Sequence, residues 1–442
     1  MPWLDVIGWI LQTIMVLGGI YGLYHVVIGL NSFGELKLPE PQPDEKQHRF
    51  AILVCAKNES MVIDQLLVTV ENLDYPRELY DVFVVADNCT DDTAEICRRA
   101  GAYVYERTDA QRKGKGFAMS WFFERFGVDH AGVYDACVVF DADNVVEVGF
   151  LTALNTRFNA GESIVVGYRT GKNPSSSWVA GCSTLYWLLQ TRFFHLPRNR
   201  FGWSLFSVSG TGFGFLLSVL DGKGWNTRTQ CEDIEFTLNA IADGHRAVLE
   251  PRAVFFDEQP QQLWTSIKQR YRWALGGVQI VPICTPRLWR RVLSGDRLAT
   301  DGLIYSVGLL VSAISGWCGM VFSVMLAART GRWDLLVLGS LAFGLFAYVF
   351  TGIFGWITVL LEDARWPGMW KTVLLFPLHL GIWWVLMLVA LFYRDATWHD
   401  IPHTVRLSLS EIEAEHHTGR LMPLNRPTRR RPPEPEVQAD DA

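Results

Sequence analysis

Two kinds of apolar run alternate with polar stretches along this chain. Short apolar runs, each ending on a polar or charged residue, follow one another between about residues 50 and 171. Much longer runs lie near the start of the chain and after residue 300. A buried strand needs only a short apolar run, whereas a helix that crosses a bilayer needs roughly 20 apolar residues. The pattern therefore predicts a soluble sheet domain and several membrane helices.

The long runs are candidate membrane spans. They cover residues 6–30, 303–328, 335–361 and 372–393. The first run lacks the basic start and the small-residue cleavage site of a signal peptide, and it is too long for one. We therefore expect it to be a retained anchor.

The short runs predict five strands with helical patterns between them. The strands are RFAILVCA, DVFVVAD, AYVYE, ACVVFDAD and SIVVGYR. Strands that alternate with helices form a parallel sheet covered on both faces. The sequence thus predicts a Rossmann-like α/β domain, in which ligands bind beyond the carboxyl ends of the strands.

These elements divide the chain into six segments. They are an N-terminal anchor at 1–34, a Pro-rich linker at 35–49, the α/β domain at 50–260, interfacial helices at 261–300, membrane helices at 301–395 and a polar tail at 396–442. Within the α/β domain, an aromatic, interrupted apolar stretch at about 177–200 is expected to lie along the membrane interface.

Composition agrees with a mixture of soluble and membrane parts. Hydrophobic residues make up 49% of the chain, and 18 tryptophans are unusual for a cytosolic enzyme, but 19% charged residues exceed what a bundle of spans carries. The net charge of −6 does not indicate a nucleic-acid binder. Basic residues in KQHR and RLWRRVLSGDR flank the soluble part. By the positive-inside rule, they predict a multi-pass protein of the plasma or inner membrane whose α/β domain faces the cytoplasm.

Acidic residues stand where the predicted strands end. Asp87 ends the second strand, Asp141 and Asp143 form a D-x-D pair at the end of the fourth, and Glu59 closely follows the first. Because the carboxyl ends of parallel strands share one edge, we expect these side chains in one crevice. Two carboxylates this close favour a bridging Mg²⁺ or Mn²⁺ ion. The pair by itself is equally compatible with a solvated strand end that forms an Asx turn.

Two further positions carry candidate chemistry. Lys115 lies among glycines just before a helix, which suits either an anionic ligand or a flexible basic turn. Glu232 and Asp233 stand at a predicted helix start. One of them could act as a general base, or both could simply interact favourably with the helix dipole.

A third motif lies on the helix after the α/β domain. Gln269, Arg272 and Trp273 are spaced as Q-x-x-R-W and fall on one helix face. Arginine can pair with a phosphate through two hydrogen bonds, and tryptophan offers a flat wall to a sugar. The same basic and aromatic residues also describe an anchor at the membrane interface.

Each motif alone is weak, but their order is specific. A strand ending in Asp, then D-x-D, E-D and Q-x-x-R-W, followed by membrane helices, resembles the processive family 2 glycosyltransferases. These are the membrane-embedded synthases of cellulose, hyaluronan, chitin oligosaccharide and poly-N-acetylglucosamine. The resemblance covers roughly residues 50–277 and implies a cytosolic glycosyltransferase-A domain combined with transmembrane and interfacial helices. It also implies a UDP-sugar as donor.

The resemblance implies a role for each motif residue. Asp233 would be the catalytic base with Glu232 beside it, and Asp143 would ligate Mg²⁺ or Mn²⁺ on the donor diphosphate. The implied substrate-binding residues are Glu59, Asp87 and Lys115 at the uridine and ribose, Asp141 on the nucleotide side, Gly210, Thr211 and Gly212 at the acceptor, and Gln269, Arg272 and Trp273 at the diphosphate and the acceptor end.

One segment of the tail resembles the gating loop of hyaluronan- and cellulose-type synthases. It is TWHDIPHT, residues 397–404, in which Trp398 is the implied substrate contact. Three spans after a cytoplasmic domain would place this loop outside the cell. Either one apolar run is not a simple crossing, or the loop assignment is wrong. A second departure is Cys231, which stands where the family has the Thr of T-E-D.

The resemblance implies an inverting, metal-dependent hexosyltransferase. It would polymerise sugars from a UDP-sugar into a β-linked polysaccharide and pass the growing chain across the lipid bilayer, with accessory secretion subunits among its potential partners. The alternative is a non-processive transferase that adds one sugar to a lipid-linked or other membrane acceptor, and Q-x-x-R-W favours the processive activity. A transporter or scaffold without turnover is disfavoured by the intact acids. No residue specifies the sugar or the linkage.

Overall fold

The computed structural model describes residues 2–34, 36–394 and 403–415. The strands are β1 Phe50–Ala56, β2 Tyr80–Asp87, β3 Tyr103–Arg107, β4 Ala136–Asp141, β5 Val145–Val146, β6 Ile164–Gly171, β7 Phe213–Leu216 and β8 Ala247–Asp257. The helices are α1 Pro2–Gly29, α2 Ile63–Glu71, α3 Thr93–Arg99, α4 Lys115–Asp129, α5 Phe150–Asn159, α6 Trp178–Gln190, α7 Leu196–Arg200, α8 Glu232–Asp243, α9 Leu263–Leu293, α10 Arg297–Thr330, α11 Trp333–Leu361, α12 Met369–Phe392 and α13 Leu409–Glu415.

All eight strands form one sheet in the order β3-β2-β1-β4-β7-β6-β8-β5. The first four strands in that order are parallel, as the alternation of strands and helices predicts. The five predicted strands all run in one direction, but the sheet is mixed rather than wholly parallel, because β7 runs antiparallel to β4 and β6, and β5 runs antiparallel to β8. The chain leaves β6 at the carboxyl edge, forms α6 and α7, and re-enters the sheet from that same edge as β7.

Both faces of the sheet are buried in the described structure. Alternate residues of β1 point to opposite faces, so that Ile52 and Val54 pack in one apolar cluster while Ala51 and Leu53 pack in the other. Every one of these four side chains is fully buried. This double burial explains why β1 is apolar throughout rather than alternating, and it leaves the strand ends as the place where polar side chains reach solvent.

Among the described residues, four helices are long and apolar enough to cross a membrane, namely α1, α10, α11 and α12. They correspond to the four long apolar runs of the sequence. The stretch at about 177–200 forms α6, a π-helical turn at Thr191–His195 and α7. The segment 261–300 holds one long helix, α9, and the first turn of α10, rather than several interfacial helices.

Residues 403–415 return to the α/β domain, and we call them the C-terminal strap. Arg406 forms an ion pair with Asp64 and donates a 2.9 Å hydrogen bond to the carbonyl of Met61. Ile412 is fully buried and packs in one cluster with Tyr168 of β6 and Trp366. The chain therefore lies against the α/β domain again after α12.

Candidate functional site

A cavity of about 660 Å³ opens at the carboxyl ends of β1, β2 and β4. Residues from distant parts of the sequence line it together. The predicted site residues in its wall are Glu59, Asp87, Lys115, Asp141, Asp143, Gly210, Glu232, Asp233, Gln269, Arg272 and Trp273. The convergence expected from the strand ends is confirmed, and α8 and α9 bring their motifs to the same cavity. Trp398 lies outside the described residues.

The D-x-D pair presents its two carboxylates in different surroundings. Asp141 is partly exposed and forms an ion pair with Lys115, whose Nζ also donates a 2.7 Å hydrogen bond to the carbonyl of Gly210. Asp143 is only 4% exposed, and its carboxylate accepts a 2.8 Å hydrogen bond from the backbone N–H of Glu258. Lys115 thus bonds to an acid and a carbonyl of the protein, in addition to facing the cavity.

Charges around Asp143 keep it ionised. Burial alone would raise the pKa of this carboxyl, but the positive charges of His403 and Lys172 and the N–H of Glu258 hold it below its ordinary value. Lys172 is fully buried, and its Nζ donates a 2.9 Å hydrogen bond to the backbone carbonyl of Asp143. A buried carboxylate that stays charged at the tip of a strand is prepared to meet a cation.

Thr211 and Gly212 lie behind the cavity wall rather than in it. The hydroxyl of Thr211 donates to Asn144 at 2.5 Å and accepts a 2.8 Å hydrogen bond from the N–H of Asp141. Gly212 has a φ of 63°, and a Cβ there would lie 2.0 Å from the ring of Phe255. These two residues therefore shape the D-x-D turn from behind, while Gly210 reaches the cavity.

Asp87 and Glu59 each have a partner that the sequence did not indicate. Asp87 forms a buried 2.5 Å ion pair with Arg107, the last residue of β3, yet burial still raises the pKa of this carboxyl. Glu59 accepts a 2.9 Å hydrogen bond from the ring of His403 in the C-terminal strap. Burial likewise raises the pKa of Glu59, against the effect of His403.

Glu232 and Asp233 begin α8 and face the cavity. The hydroxyl of Ser207 donates a 3.0 Å hydrogen bond to Oδ2 of Asp233. Burial, followed by the neighbouring charge of Asp233, raises the pKa of Glu232 to about 7. Burial also raises the pKa of Asp233, although the N–H of Ile234 and the Ser207 hydroxyl oppose it. Two adjacent carboxyls with raised pKa values suit the transfer of a proton near neutral pH.

The Q-x-x-R-W motif lies on α9 with its three named side chains in the cavity wall, as the helical spacing predicts. The Trp273 ring stacks on Trp383 of α12 at 6.2 Å between centroids and meets Trp187 of α6 edge-on at 5.6 Å. The thiol of Cys231 donates to the Trp273 carbonyl at 3.5 Å. This thiol therefore ties the helix start of α8 to α9.

Several cavity residues were missed from the sequence. Asp257 is the last residue of β8 and Glu258 follows it, and Asp257 forms an ion pair with Arg169 of β6. Burial raises the pKa of Asp257 to about 6, against the effect of Arg169. The stretch AVFFD carries the same signal as the other strand ends, an apolar run that stops on an aspartate, and it could have indicated this site.

His403 was also missed. Although burial opposes protonation, the charges of Asp143, Glu59 and Glu258 raise the pKa of His403 to about 10. The backbone N–H groups of Thr404 and Val405 donate to the Glu258 carboxylate at 3.1 and 2.9 Å. His403 lies in TWHDIPHT, the segment that resembles a gating loop, but no local pattern indicates its contact with Glu59, which spans 344 residues of sequence.

The residues around Asp143 fit a divalent ion that brings further ligands with it. Their donors are hard carboxylate oxygens, which Mg²⁺ and Mn²⁺ prefer. In the described part of the chain, no group of three His, Cys, Asp or Glu side chains stands close enough to hold an ion unaided. An ion at Asp143 would therefore complete its coordination with oxygens of a bound ligand, such as a diphosphate.

Comparison with known families agrees with this geometry. Residues 48–276 match a family model described as glycosyltransferase like family 2. Among solved structures, a mannosyltransferase from Pyrobaculum calidifontis, in complex with GDP-Man and Mn²⁺, superposes with a TM-score of 0.57 over 89% of this chain and 100% of that one. At 18% identity that likeness shows the fold, a glycosyltransferase-A type sheet joined to long apolar helices.

Curated relatives carry out more than one kind of transfer. A probable glycosyltransferase of Bacillus subtilis, YdaM, is 26% identical over 59% of this chain and 64% of its own length. A beta-monoglucosyldiacylglycerol synthase of Nostoc is 26% identical over 57% of this chain and 55% of its own. A poly-beta-1,6-N-acetyl-D-glucosamine synthase of Staphylococcus epidermidis is 24% identical over 64% and 69%. The match spans less than two thirds of the first two proteins.

Proposed function

Because this chain belongs to glycosyltransferase-like family 2, we propose that it polymerises sugar units from a UDP-sugar into a β-linked polysaccharide at a membrane. The transfer is inverting and metal-dependent, and the α/β domain faces the cytoplasm. The observation that carries the proposal is one cavity lined by the D-x-D pair, by Glu232 and Asp233, and by the Q-x-x-R-W motif.

The chemistry follows from where the side chains stand. Asp233 takes the proton of the acceptor hydroxyl on its carboxylate, and Ser207 orients that carboxylate through the 3.0 Å hydrogen bond. The acceptor oxygen then attacks the anomeric carbon from the face opposite the diphosphate, so that an α-linked donor yields a β-linkage. Arg272 stands in the wall where it can pair with the departing diphosphate.

Donor binding is assigned to the strand-end acids and their partners. Asp87, held by Arg107, faces the nucleoside together with Glu59 and Lys115, and Asp141, paired with Lys115, contacts the nucleotide side. Asp143 would hold Mg²⁺ or Mn²⁺, which supplies neutralisation of the charge that develops on the diphosphate. Gln269 and Trp273 contact the acceptor end, with the Trp273 ring as the flat wall.

The proposal is tested by purifying the full chain in lipid nanodiscs with Mn²⁺ and offering UDP-glucose, UDP-N-acetylglucosamine and GDP-mannose separately. Release of nucleoside diphosphate identifies the donor, and mass spectrometry of the product gives its length. Products of many sugars support polymerisation. A product with a single added sugar would show that the chain carries out single transfer and not polymerisation. An absence of turnover with every donor would contradict the proposed glycosyl transfer.

A further inference from the structure

The cavity extends from the carboxylates into the region of the long apolar helices. We call this part the membrane arm. Its wall includes Tyr21 of α1, Tyr305 and Leu309 of α10, and Leu380, Trp384 and Met387 of α12. Those three helices are among the four that are long and apolar enough to cross a membrane. The arm is therefore an apolar and aromatic space among helices that suit a bilayer, continuous with the site of transfer.

The membrane arm ends within the layer of spans. On α10 its wall runs from Tyr305 to Ala313, whereas the helix continues to Thr330. The remaining 17 residues, the difference between positions 330 and 313, extend about 25 Å further at the rise of an α-helix. The lining residues of the arm therefore lie on the first half of α10, and the arm can hold part of a ligand.

The ring of Trp384 forms part of the wall of the membrane arm on α12. Trp384 is 50% exposed although it lines the arm. Its ring rests on Gly316 of α10, where a Cβ would lie only 2.0 Å from the ring. Both α10 and α12 are long and apolar enough to cross a membrane, so Trp384 packs between two helices that suit a lipid environment.

The two ends of the cavity differ in chemistry. At the near end stand the carboxylates of Glu232 and Asp233, which require a polar partner. Between the ends, the side-chain oxygen of Gln190 is buried with no hydrogen-bond partner among the described residues. Beyond Gln190 the side chains of the arm are mostly apolar. A matching ligand has a hydroxylated head, a polar neck and a hydrocarbon tail.

We propose that the membrane arm binds the hydrocarbon tail of a lipid acceptor that enters sideways from the bilayer past Trp384. The inference rests on the proposed glycosyl transfer and adds the identity of the first acceptor, on which a polymer then grows. The lipid hydroxyl loses its proton to Asp233, its oxygen bonds to the anomeric carbon, and the bond from that carbon to the diphosphate breaks. The nucleoside diphosphate leaves with the electron pair.

The test uses acceptors that differ only in their tails. The full chain in phosphatidylcholine nanodiscs receives the donor that supports turnover, together with methyl, octyl or dodecyl β-glucoside or soluble cellotetraose. Because each buried CH₂ group favours binding, the acceptor KM is expected to fall at least about tenfold from methyl to octyl glucoside. Leu380→Gln, in the arm, is expected to remove most of that gain while UDP affinity stays within about twofold, which shows that the protein is folded.

The matched control lies two residues away on the same helix. Leu378 is 58% exposed and is not part of the cavity wall, so Leu378→Gln is expected to keep the dependence on tail length. A KM that does not depend on tail length, equal use of cellotetraose, or equal effects of the two variants would overturn the lipid acceptor and leave the transferase intact. If no acceptor receives a sugar, the proposed glycosyl transfer would be contradicted as well.

Discussion

At the scale of single residues, the candidate base is defined by its surroundings. Asp233 accepts a hydrogen bond from Ser207 and sits beside Glu232, so that two carboxyls share one partly buried corner. The charge of each disfavours ionisation of the other, and burial adds to that effect. The helix dipole at the start of α8 works in the opposite direction. The pKa values of Glu232 and Asp233 are therefore both raised above those of ordinary carboxyls.

Asp233→Asn is expected to lower kcat by at least about a thousandfold, because the amide cannot accept the acceptor proton. UDP affinity, measured by calorimetry, is expected to change less than about threefold. Asp243→Asn at the far end of α8, where Asp243 pairs with Arg287, is the matched control. Turnover near the unsubstituted level in Asp233→Asn would show that another group takes the proton.

The raised pKa values predict a pH dependence. A base must be deprotonated to act, so kcat/KM is expected to fall as the pH drops through the pKa of Asp233, which burial raises above its ordinary value. Glu232→Gln removes a neighbouring negative charge, which should move this limb of the profile to lower pH. A limb that stays in place in Glu232→Gln would assign the titration to a different group.

Removal of metal is expected to abolish turnover. EDTA should stop sugar transfer, and excess Mn²⁺ or Mg²⁺ should restore it, because Asp143 offers an ionised carboxylate where the diphosphate would lie. Asp143→Asn is expected to raise the Mn²⁺ concentration needed for half-maximal rate at least about tenfold. Asp74→Asn, on the loop before β2, is the control. Full activity in EDTA would contradict a metal-dependent transfer.

At the scale of elements, the contact between α8 and α9 brings the candidate base and the Q-x-x-R-W motif together. Gly276 of α9 lies against Cys231, and a Cβ at Gly276 would be 2.3 Å from the sulfur and 2.8 Å from the backbone nitrogen. The Cys231 thiol, which stands where the family has a threonine, fits here because it packs against the bare backbone of Gly276. The two helices can meet only because position 276 has no side chain.

Gly276→Ala is expected to push α9 away from α8 and to lower kcat/KM by at least about tenfold, since Arg272 and Trp273 move with the helix. Gly339→Ala on α11, where a Cβ meets nothing within 4 Å, is the control and should be neutral. The measurement is the acceptor KM and kcat together with UDP affinity. An unchanged kcat/KM in Gly276→Ala would show that α8 and α9 can move apart without any effect on catalysis.

The strands also show which features of the fold can be predicted from local sequence. The five predicted strands form β1, β2, β3, β4 and β6, because a short apolar run with a polar end is a local property of the chain. The direction of β7 is a different matter. The segment FGFL directly follows the glycines that the resemblance places at the acceptor, and only its pairing with β4 and β6 makes it an antiparallel strand.

At the scale of the whole molecule, the C-terminal strap bears on the side of the bilayer on which the two ends of α12 lie. Helix α12 begins where the Cys182 thiol donates to the carbonyl of Thr372, and it ends where Tyr271 donates a 2.7 Å hydrogen bond to the carbonyl of Tyr393. Both partners lie on helices that continue directly from the α/β domain. With the strap on that domain as well, we infer that α12 begins and ends on the side of the bilayer where the α/β domain lies.

This arrangement predicts three crossings, by α1, α10 and α11. An epitope tag inserted at Gly331, between α10 and α11, should be reached by antibody on intact spheroplasts. Tags at Gly132, in a turn of the α/β domain, and after residue 442 should be reached only after permeabilisation. Labelling of the C-terminal tag on intact spheroplasts would instead make α12 a crossing and would separate the strap from the site.

The sequence by itself determined the parts of this protein that depend on near neighbours. The lengths of the apolar runs predicted the four long helices and the buried strands. The acids at the strand ends predicted where the cavity lies, because side-chain periodicity and strand polarity are local properties of the chain. Tertiary structure alone decided the rest. Arg107 beside Asp87, His403 beside Glu59 and the membrane arm between α10 and α12 arise where distant surfaces pack, and no local pattern records which surfaces will meet.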